Sequence, residues 1–142
     1  MSHDLIILKS TDINAESARV WDVLINPEKI KQYFNGAETK TDWQVGSEII
    51  FKHIYEKQEF NNKGIILSYD PYRLLSYTYW SAFSNTEDKP ENYTTITFTF
   101  TKISTGTKLA FTQTNFINKE WYQALAAGWD IVLAKIKEIA EG

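Results

Sequence analysis

The side chain best suited to chemistry in this sequence is His53, which lies in a stretch of alternating residues. In a strand its imidazole shares a face with Phe51, two residues earlier. A histidine among aromatic side chains can bind a ligand or transfer a proton, and it can also be an ordinary core residue. The sequence leaves both interpretations open.

Three other polar side chains are in phase with apolar residues of predicted strands. Gln113 shares a face with Phe111, where it can contact a ligand or be satisfied by the backbone. Tyr77 and Tyr79 share a face with Leu75, and their hydroxyls need hydrogen-bond partners if they are buried. Gln113, like His53, is a candidate polar contact in an otherwise apolar site, whereas Tyr77 and Tyr79 are candidate wall residues.

The sequence lacks the motifs of the common catalytic and metal-binding sites. It has no cysteine, and its two histidines, His3 and His53, show no metal-ligand spacing. No Gly-rich phosphate loop, nucleophile elbow or triad spacing is present. We therefore expect no catalytic residue, no metal and no cofactor. The alternative is a cyclase-like or hydrolase-like enzyme, which would need a second polar group positioned beside His53 or a tyrosine.

Composition and charge narrow the class of protein. The 142 residues are 43% hydrophobic and 15% aromatic, so we expect one folded domain over residues 1–142. The net charge is -3 without a lysine or arginine cluster, which argues against nucleic-acid binding. The first residues, MSHDLIILKS, do not resemble a signal peptide, and no apolar run reaches membrane-spanning length. We expect a cytoplasmic protein without membrane insertion.

The end of the chain, Asn118–Gly142, predicts the long helix around which the domain is organised. Asn118 is a good N-cap residue, and apolar residues recur along one broad arc that needs a wide apolar partner. Gly128 beside Trp129 leaves a gap on that arc, which is either ordinary close packing or the wall of a cavity. The arc contains Trp121, Leu125, Gly128, Trp129, Val132, Leu133, Ile136 and Ile139.

The start of the chain predicts one strand and two short helices. Leu5–Thr11 is short, apolar and β-branched, which is typical of a strand. Asn14 is expected to cap a helix over residues 15–25. Asn26-Pro27 then starts a second helix, because proline fits the first helical position, and Asn35-Gly36 ends it.

The middle of the chain changes to a period of two, which predicts strands. Short polar turns join most of them, so they should form an antiparallel meander. A longer polar loop that contains Pro90 interrupts the series. The predicted strands are Glu48–Tyr55, Glu59–Tyr69, Arg73–Trp80, Tyr93–Thr101 and Lys108–Asn115.

These elements predict an α+β helix-grip fold. A curved antiparallel sheet of about six strands would grip the C-terminal helix, and the two short helices would plug one end. Only the C-terminal helix is long enough to cover the apolar face of such a sheet. A strongly curved sheet around one helix leaves space between the two, which is where a ligand could lie.

Six segments of the sequence resemble one known family, in the same order and over nearly the whole chain. The chain resembles the START-like superfamily, and within it the family of the activator of the ninety-kilodalton heat-shock protein ATPase. This resemblance implies a hydrophobic cavity under the long helix. It does not identify the ligand, because the superfamily includes lipid carriers, hormone receptors and polyketide cyclases. The segments are VWDVLINPEKIKQYF, DWQVGSEIIF, GIILSYDPYRLLSYTYW, TITFTF, GTKLAFTQTNF and GWDIVLAKIKE.

We therefore expect a binding module for a small apolar or amphipathic molecule, lipid-like or polyketide-like, that exists as a monomer or weak dimer. The alternative outside enzymes is a protein-interaction domain with a chaperone or another protein as partner, which would need an exposed apolar patch. Ligand-binding sites combine apolar walls with a few polar groups. The expected ligand-binding residues are Phe51, His53, Tyr77, Tyr79, Phe98, Phe100, Phe111, Gln113, Leu125, Trp129 and Leu133.

Overall fold

A curved, open antiparallel sheet carries a long C-terminal helix in this protein, as the helix-grip prediction required. The computed structural model describes residues 4–142, so the interpretation of His3 lies outside the described residues. Within them the strand order is β1-β7-β6-β5-β4-β3-β2, and every neighbouring pair is antiparallel. The elements are β1 (Ile7–Ile13), α1 (Ser17–Ile25), α2 (Pro27–Tyr33), β2 (Glu38–Lys40), β3 (Glu48–Tyr55), β4 (Gln58–Asp70), β5 (Leu74–Tyr79), β6 (Thr94–Ile103), β7 (Gly106–Thr114) and α3 (Lys119–Glu141).

The sheet has one strand more than the sequence predicted. Residues 4–142 form seven strands, and the additional one is β2, a three-residue edge strand that pairs with β3. Its sequence, Glu-Thr-Lys, has no apolar alternation, so no periodicity could mark it. The first strand lies two residues later than predicted, because its register with β7 runs from Ile7 opposite Gln113 to Ile13 opposite Thr107.

The prediction that Asn14 caps the first helix is wrong. The N-cap residue of α1 is Glu16, and its side chain makes no capping hydrogen bond. Asn14 instead uses its backbone N–H to donate to Glu141 Oε2 at 2.8 Å. The turn after β1 is thereby tied to the last turn of α3, and a distant contact replaces the local cap.

The other two helix starts follow the sequence signals. Asn26 Oδ1 accepts from the Glu28 backbone N–H at 3.0 Å, with Pro27 at the first position of α2. Asn118 Oδ1 accepts from the Trp121 backbone N–H at 2.7 Å and starts α3, which is 23 residues long. Asn35 follows α2 with a φ of 54°, so the chain turns away from the helix there.

The long helix lies towards the β1 side of the sheet. It packs against β1 and α1, and Lys9 Nζ of β1 contacts Asp130 Oδ1 of α3 at 2.8 Å. One helix cannot also cover the far strands of a seven-stranded curved sheet, so space remains above β3, β4 and β5. The end of α2 partly fills that space and forms one wall of the pocket described below.

A glycine allows two central strands to approach closely. A Cβ placed on Gly64 of β4 would lie 1.6 Å from the Thr78 carbonyl oxygen of β5. The pairing of these two strands is irregular between Ile66 and Ser68, next to this approach. The close contact brings the ends of β4 and β5 together, where they form the floor of the same pocket.

Candidate functional site

A pocket of about 380 Å³ lies between α3, the end of α2 and the ends of β3, β4 and β5. Its walls are mostly aromatic and aliphatic, and its polar atoms come from few side chains. The loop between β5 and β6 forms one side of its opening. The lining residues are Tyr33, Phe34, Asn35, His53, Ile54, Tyr55, Asn62, Tyr79, Ser81, Phe83, Trp121, Leu125, Gly128, Trp129, Ile131, Val132 and Lys135.

Phe34, the residue that ends α2, is at the centre of the aromatic wall. Its ring centroid lies 5.1 Å from that of Phe51 and 5.9 Å from that of Trp129. It also lies 6.1 Å from the Tyr79 ring and 6.2 Å from the His53 ring. Phe34 therefore joins the sheet side of the pocket to the helix side.

The polar end of the pocket is a hydrogen-bonded group on β4 and β5. Asn62 is buried and donates from Nδ2 to the Tyr79 hydroxyl at 2.9 Å. Asn62 Oδ1 accepts from the Ala82 backbone N–H at 2.9 Å, and Ser81 Oγ accepts from the Phe83 N–H at 3.1 Å. Burial raises the pKa of Tyr79, while hydrogen bonds from Asn62 and Ser81 oppose the rise, so its hydroxyl stays protonated at neutral pH.

His53 contributes an unpartnered nitrogen next to this group. Its Nε2 is buried without a hydrogen-bond partner among residues 4–142, a condition that only Thr39 Oγ1 shares there. Its ring lies between those of Phe34 at 6.2 Å and Phe83 at 6.3 Å. Burial lowers the pKa of His53 below its ordinary value of 6.5, so the imidazole is neutral at neutral pH.

Gly128 opens the helix side of the pocket. A Cβ placed on it would meet no atom within 4 Å, although its helix neighbour Trp129 is almost fully buried. A glycine inside a helix costs about 0.5–1 kcal/mol relative to alanine. The gap beside Trp129 expected from the sequence is therefore open space that belongs to the pocket.

Gln113 holds Trp129 in place from below and does not line the pocket. The Trp129 indole stacks on Phe111 with centroids 3.9 Å apart, and its Nε1–H donates to Gln113 Oε1 at 3.0 Å. Gln113 is fully buried and donates from Nε2 to Thr94 Oγ1 at 2.9 Å. Thr94 in turn donates to the Tyr79 carbonyl oxygen at 3.0 Å. This chain of bonds fixes the indole plane that faces the pocket.

The residues proposed from sequence as a ligand site divide into three groups. His53, Tyr79, Leu125 and Trp129 line the pocket. Phe100 lies elsewhere, with its ring 5.6 Å from that of Trp21. The others form the buried core beneath the pocket; they are Phe51, Tyr77, Phe98, Phe111, Gln113 and Leu133.

Several lining residues were not predicted as site residues. Phe34 is visible in sequence only as an apolar position of a short helix, and its role depends on how α2 crosses the sheet. Asn62 and Ser81 reach the pocket because Gly64 lets β4 and β5 approach closely. Phe83 belongs to a loop whose path has no periodic signal. Trp121 and Val132 were on the predicted apolar arc of α3, and this arc was the signal that could have found them.

The described lining of the pocket has little charge and only one possible metal ligand, the imidazole of His53. Among its lining residues only Lys135 carries a formal charge at neutral pH, and it is exposed. No cluster of three or more histidine, aspartate or glutamate side chains that could hold a metal occurs in residues 4–142. No helix in that range is long and apolar enough to cross a membrane.

A second groove of about 440 Å³ lies on the opposite face of the sheet. Lys63 and Asp88 form an ion pair in it at 2.6 Å, and Tyr93 donates a hydrogen bond to the same carboxylate. These contacts hold the pKa of Asp88 below its ordinary value. Because the Lys63–Asp88 ion pair already satisfies two of its three charged groups, leaving Glu48, this groove is a weaker candidate than the smaller pocket under α3.

Comparison with known proteins identifies the family. Residues 14–141 match the model of the family described as Activator of Hsp90 ATPase homolog 1-like protein. The chain belongs to this family. It is thereby a member of the START-like superfamily, as its sequence resemblance indicated. No significant match is found among curated proteins.

Solved structures with the same fold come from several bacteria. A solution structure of ChR145 from Cytophaga hutchinsonii is 33% identical, with a TM-score of 0.81 over 97% of this chain and 94% of that one. Protein MLL2253 from Mesorhizobium loti is 21% identical, with a TM-score of 0.78 over 95% and 96% of the two chains. The Aha1 dimer from Colwellia psychrerythraea is 16% identical, with a TM-score of 0.76 over 96% of each chain. The last two show the fold alone.

Proposed function

We propose that this domain binds a small apolar or amphipathic molecule in the pocket under α3 without transforming it. The observation that carries the proposal is the open space beside the half-buried Gly128, in a pocket that a wall of rings lines. A structural helix gains stability from alanine at such a position. A glycine there is consistent with space that a ligand fills.

The size and lining of the pocket support this function. Its volume of about 380 Å³ lies within the range of roughly 300–1,000 Å³ common for small-molecule sites. Such sites have apolar walls with a few placed polar groups. Here the walls come from Phe34, Leu125 and Trp129, and the polar groups from Asn62 and Tyr79.

The same geometry argues against catalysis. A general base needs a partner that orients it, and no charged or hydrogen-bonding side chain orients His53 among the described residues. Tyr79 does not supply a base, because burial raises the pKa of its hydroxyl and keeps it protonated. No carboxylate of residues 4–142 lines the pocket. The cyclase-like or hydrolase-like alternative would therefore have to work with neutral, hydrogen-bonded groups beside His53, which makes it the weaker proposal.

A protein-binding role is favoured by one separate observation. The pocket opens among exposed apolar side chains, of which Ile131 is 62% exposed, Tyr55 59% and Phe83 46%. The Colwellia relative is described as a dimer, so self-association is one form this role could take. If it operates, Ile131→Lys should abolish association measured by light scattering; unchanged monomeric behaviour of both proteins would remove this alternative.

The binding function is tested by filling the pocket. Gly128→Leu places an isobutyl group in the open space, whereas Ala127→Leu adds the same group to the exposed side of the same helix. The neutral fluorescent probe N-phenylnaphthylamine should bind the wild type saturably and raise its melting temperature by mass action. Ala127→Leu should bind like the wild type, and Gly128→Leu should not bind. Equal binding to all three proteins would refute the pocket as the site.

A further inference from the structure

The unpartnered nitrogen of His53 is the feature of the pocket that structure alone does not explain. A buried polar atom without a hydrogen bond destabilises the folded protein, so such atoms are uncommon. His53 Nε2 is one of two in residues 4–142, and it belongs to a side chain that lines the pocket. The other, Thr39 Oγ1, is not part of the pocket lining.

The protonation of His53 determines what its nitrogen can bind. A neutral imidazole has one N–H donor and one acceptor nitrogen. A proton on Nε2 would be a buried donor without an acceptor, and such donors are the rarer kind of unsatisfied group. The proton therefore belongs on Nδ1, and Nε2 faces its surroundings as a hydrogen-bond acceptor.

Tyr79 lines the same pocket but has hydrogen-bond partners of its own. Its hydroxyl oxygen accepts from Asn62 Nδ2 at 2.9 Å, and Ser81 also contacts it. Tyr79 and His53 flank the same Phe34 ring at 6.1 Å and 6.2 Å. The pocket thus has one free acceptor, His53 Nε2, near its polar end.

A hydroxyl group is the ligand chemistry that matches this acceptor. It can donate to His53 Nε2, whereas a carboxylate only accepts. A carboxylate would also lose its hydration among neutral groups, since the one charged lining residue, Lys135, is exposed. Resting on the binding function proposed above, we infer that the pocket selects an uncharged apolar molecule that carries a hydroxyl group at its inner end.

Contact with His53 requires a small rearrangement of the loop between β5 and β6. Nε2 is covered, and the rings of Phe34 and Phe83 lie beside it. Phe34 packs against rings on both sides of the pocket. Phe83 is 46% exposed, and its ring contacts within residues 4–142 are with Phe60 and His53, so it is the less constrained of the two rings. Phe83 is therefore the ring whose rotation the inference requires.

The inference is tested with three probes of one shape: naphthalene, naphthol and naphthoate, substituted at the same ring position. Equilibrium dialysis at neutral pH should show naphthol binding the wild type about tenfold or more tightly than the other two. If naphthalene binds and naphthol binds no better, or if naphthoate binds best, the inference is wrong while the binding function stands. If none of the three binds, the binding function and the inference both fail.

Two variants identify the source of the preference. His53→Phe removes the acceptor nitrogen and keeps a ring, so the ratio of the naphthol to the naphthalene dissociation constant should move to about one. Thr39→Val removes the other unpartnered atom, outside the pocket, and should keep the wild-type ratio. Neither variant should melt below the wild type, because each removes an unsatisfied polar atom. A His53→Phe protein that keeps the wild-type ratio would overturn the inference.

Discussion

His53 couples the stability of the domain to pH at the scale of a single residue. Burial lowers its pKa in the folded protein below the ordinary value of 6.5, so the unfolded chain binds more protons than the folded one below that pH. The stability that depends on neutral His53 is therefore complete above about pH 6.5 and is lost as the pH falls through the lower folded pKa. Carboxylates with lowered pKa, such as Asp88 and Glu141, act at still lower pH.

The first prediction follows from this coupling. Between about pH 7 and about pH 5, the urea midpoint should fall more for the wild type than for His53→Phe, because only the wild type must bury an imidazole that protonates. Urea unfolding at several pH values measures the difference. Parallel curves for the two proteins would mean that His53 titrates alike in the folded and unfolded states.

A second prediction concerns Gln113, which was expected to contact the ligand and instead accepts the hydrogen bond of the Trp129 indole. Gln113→Leu leaves the Trp129 Nε1–H without its acceptor and should destabilise the protein by about 1–3 kcal/mol. Gln113→Glu keeps an acceptor oxygen but buries a carboxylate, so it should also destabilise. Chemical denaturation gives the values. A Gln113→Leu protein as stable as the wild type would show that the bond contributes nothing.

A third prediction at this scale concerns Gly128. Gly128→Ala should stabilise the protein by about 0.5–1 kcal/mol, because alanine favours the helix and its methyl group meets no atom within 4 Å. The measurement is the change in denaturation midpoint against Ala127→Gly, which should lose stability by a similar amount on the exposed face of the same helix. Destabilisation by Gly128→Ala would show that the space is already filled.

At the scale of elements, the position of α3 determines where the pocket lies. Asn118 caps the helix next to Trp121, the first helix residue of the pocket wall. Asn118→Ala should therefore cost about 1 kcal/mol, whereas Asn118→Asp should cost little, since aspartate caps equally well and suits the helix dipole. Thermal unfolding compares the two. Equal losses would mean that the cap hydrogen bond is not what the asparagine contributes.

Elements with strong periodicity could be predicted from the sequence, and those defined by long-range pairing could not. β3 and α3 carry clear two-residue and helical repeats, and both lie where the patterns placed them. β2 is polar and exists because β3 offers a free edge. Asn14 is a residue type that commonly caps helices, yet in this structure its backbone N–H donates to Glu141 at the other end of the chain and its side chain caps no helix. Such contacts have no local signal.

The same limit applies to the candidate site. In-phase residues such as Phe51 and Phe98 share the concave face with His53, but the face is longer than the pocket, so most of them lie under α3 as core. Which residues remain uncovered depends on where a single helix crosses the sheet. Periodicity indicates the face that a residue occupies and not its position relative to the helix axis. The pocket therefore lies at the β3–β5 end and not along the whole face.

At the scale of the whole molecule, the fold leaves a space at one end that the two short helices only partly close. α3 is tied to the β1 side through Lys9 and Asp130, and its C-terminus is tied to α1 by the bond that Arg19 donates to the Gly142 carbonyl oxygen. Together with its packing on β1 and α1, these contacts place the helix on the β1 side of the sheet. The space beside Gly128 is thus a property of the whole arrangement, and the central claim is that a small molecule occupies it.

The most direct test of that claim is a two-dimensional proton–nitrogen NMR titration of the wild type with naphthalene. Binding under α3 predicts saturable shift changes at the Trp121 and Trp129 indole N–H groups and at the Gly128 and Phe83 amides, with Gly128→Leu unresponsive. The amides of Lys63 and Ile65, which line the groove on the opposite face, should not shift. Changes confined to those two amides, or no saturable change anywhere, would contradict the account.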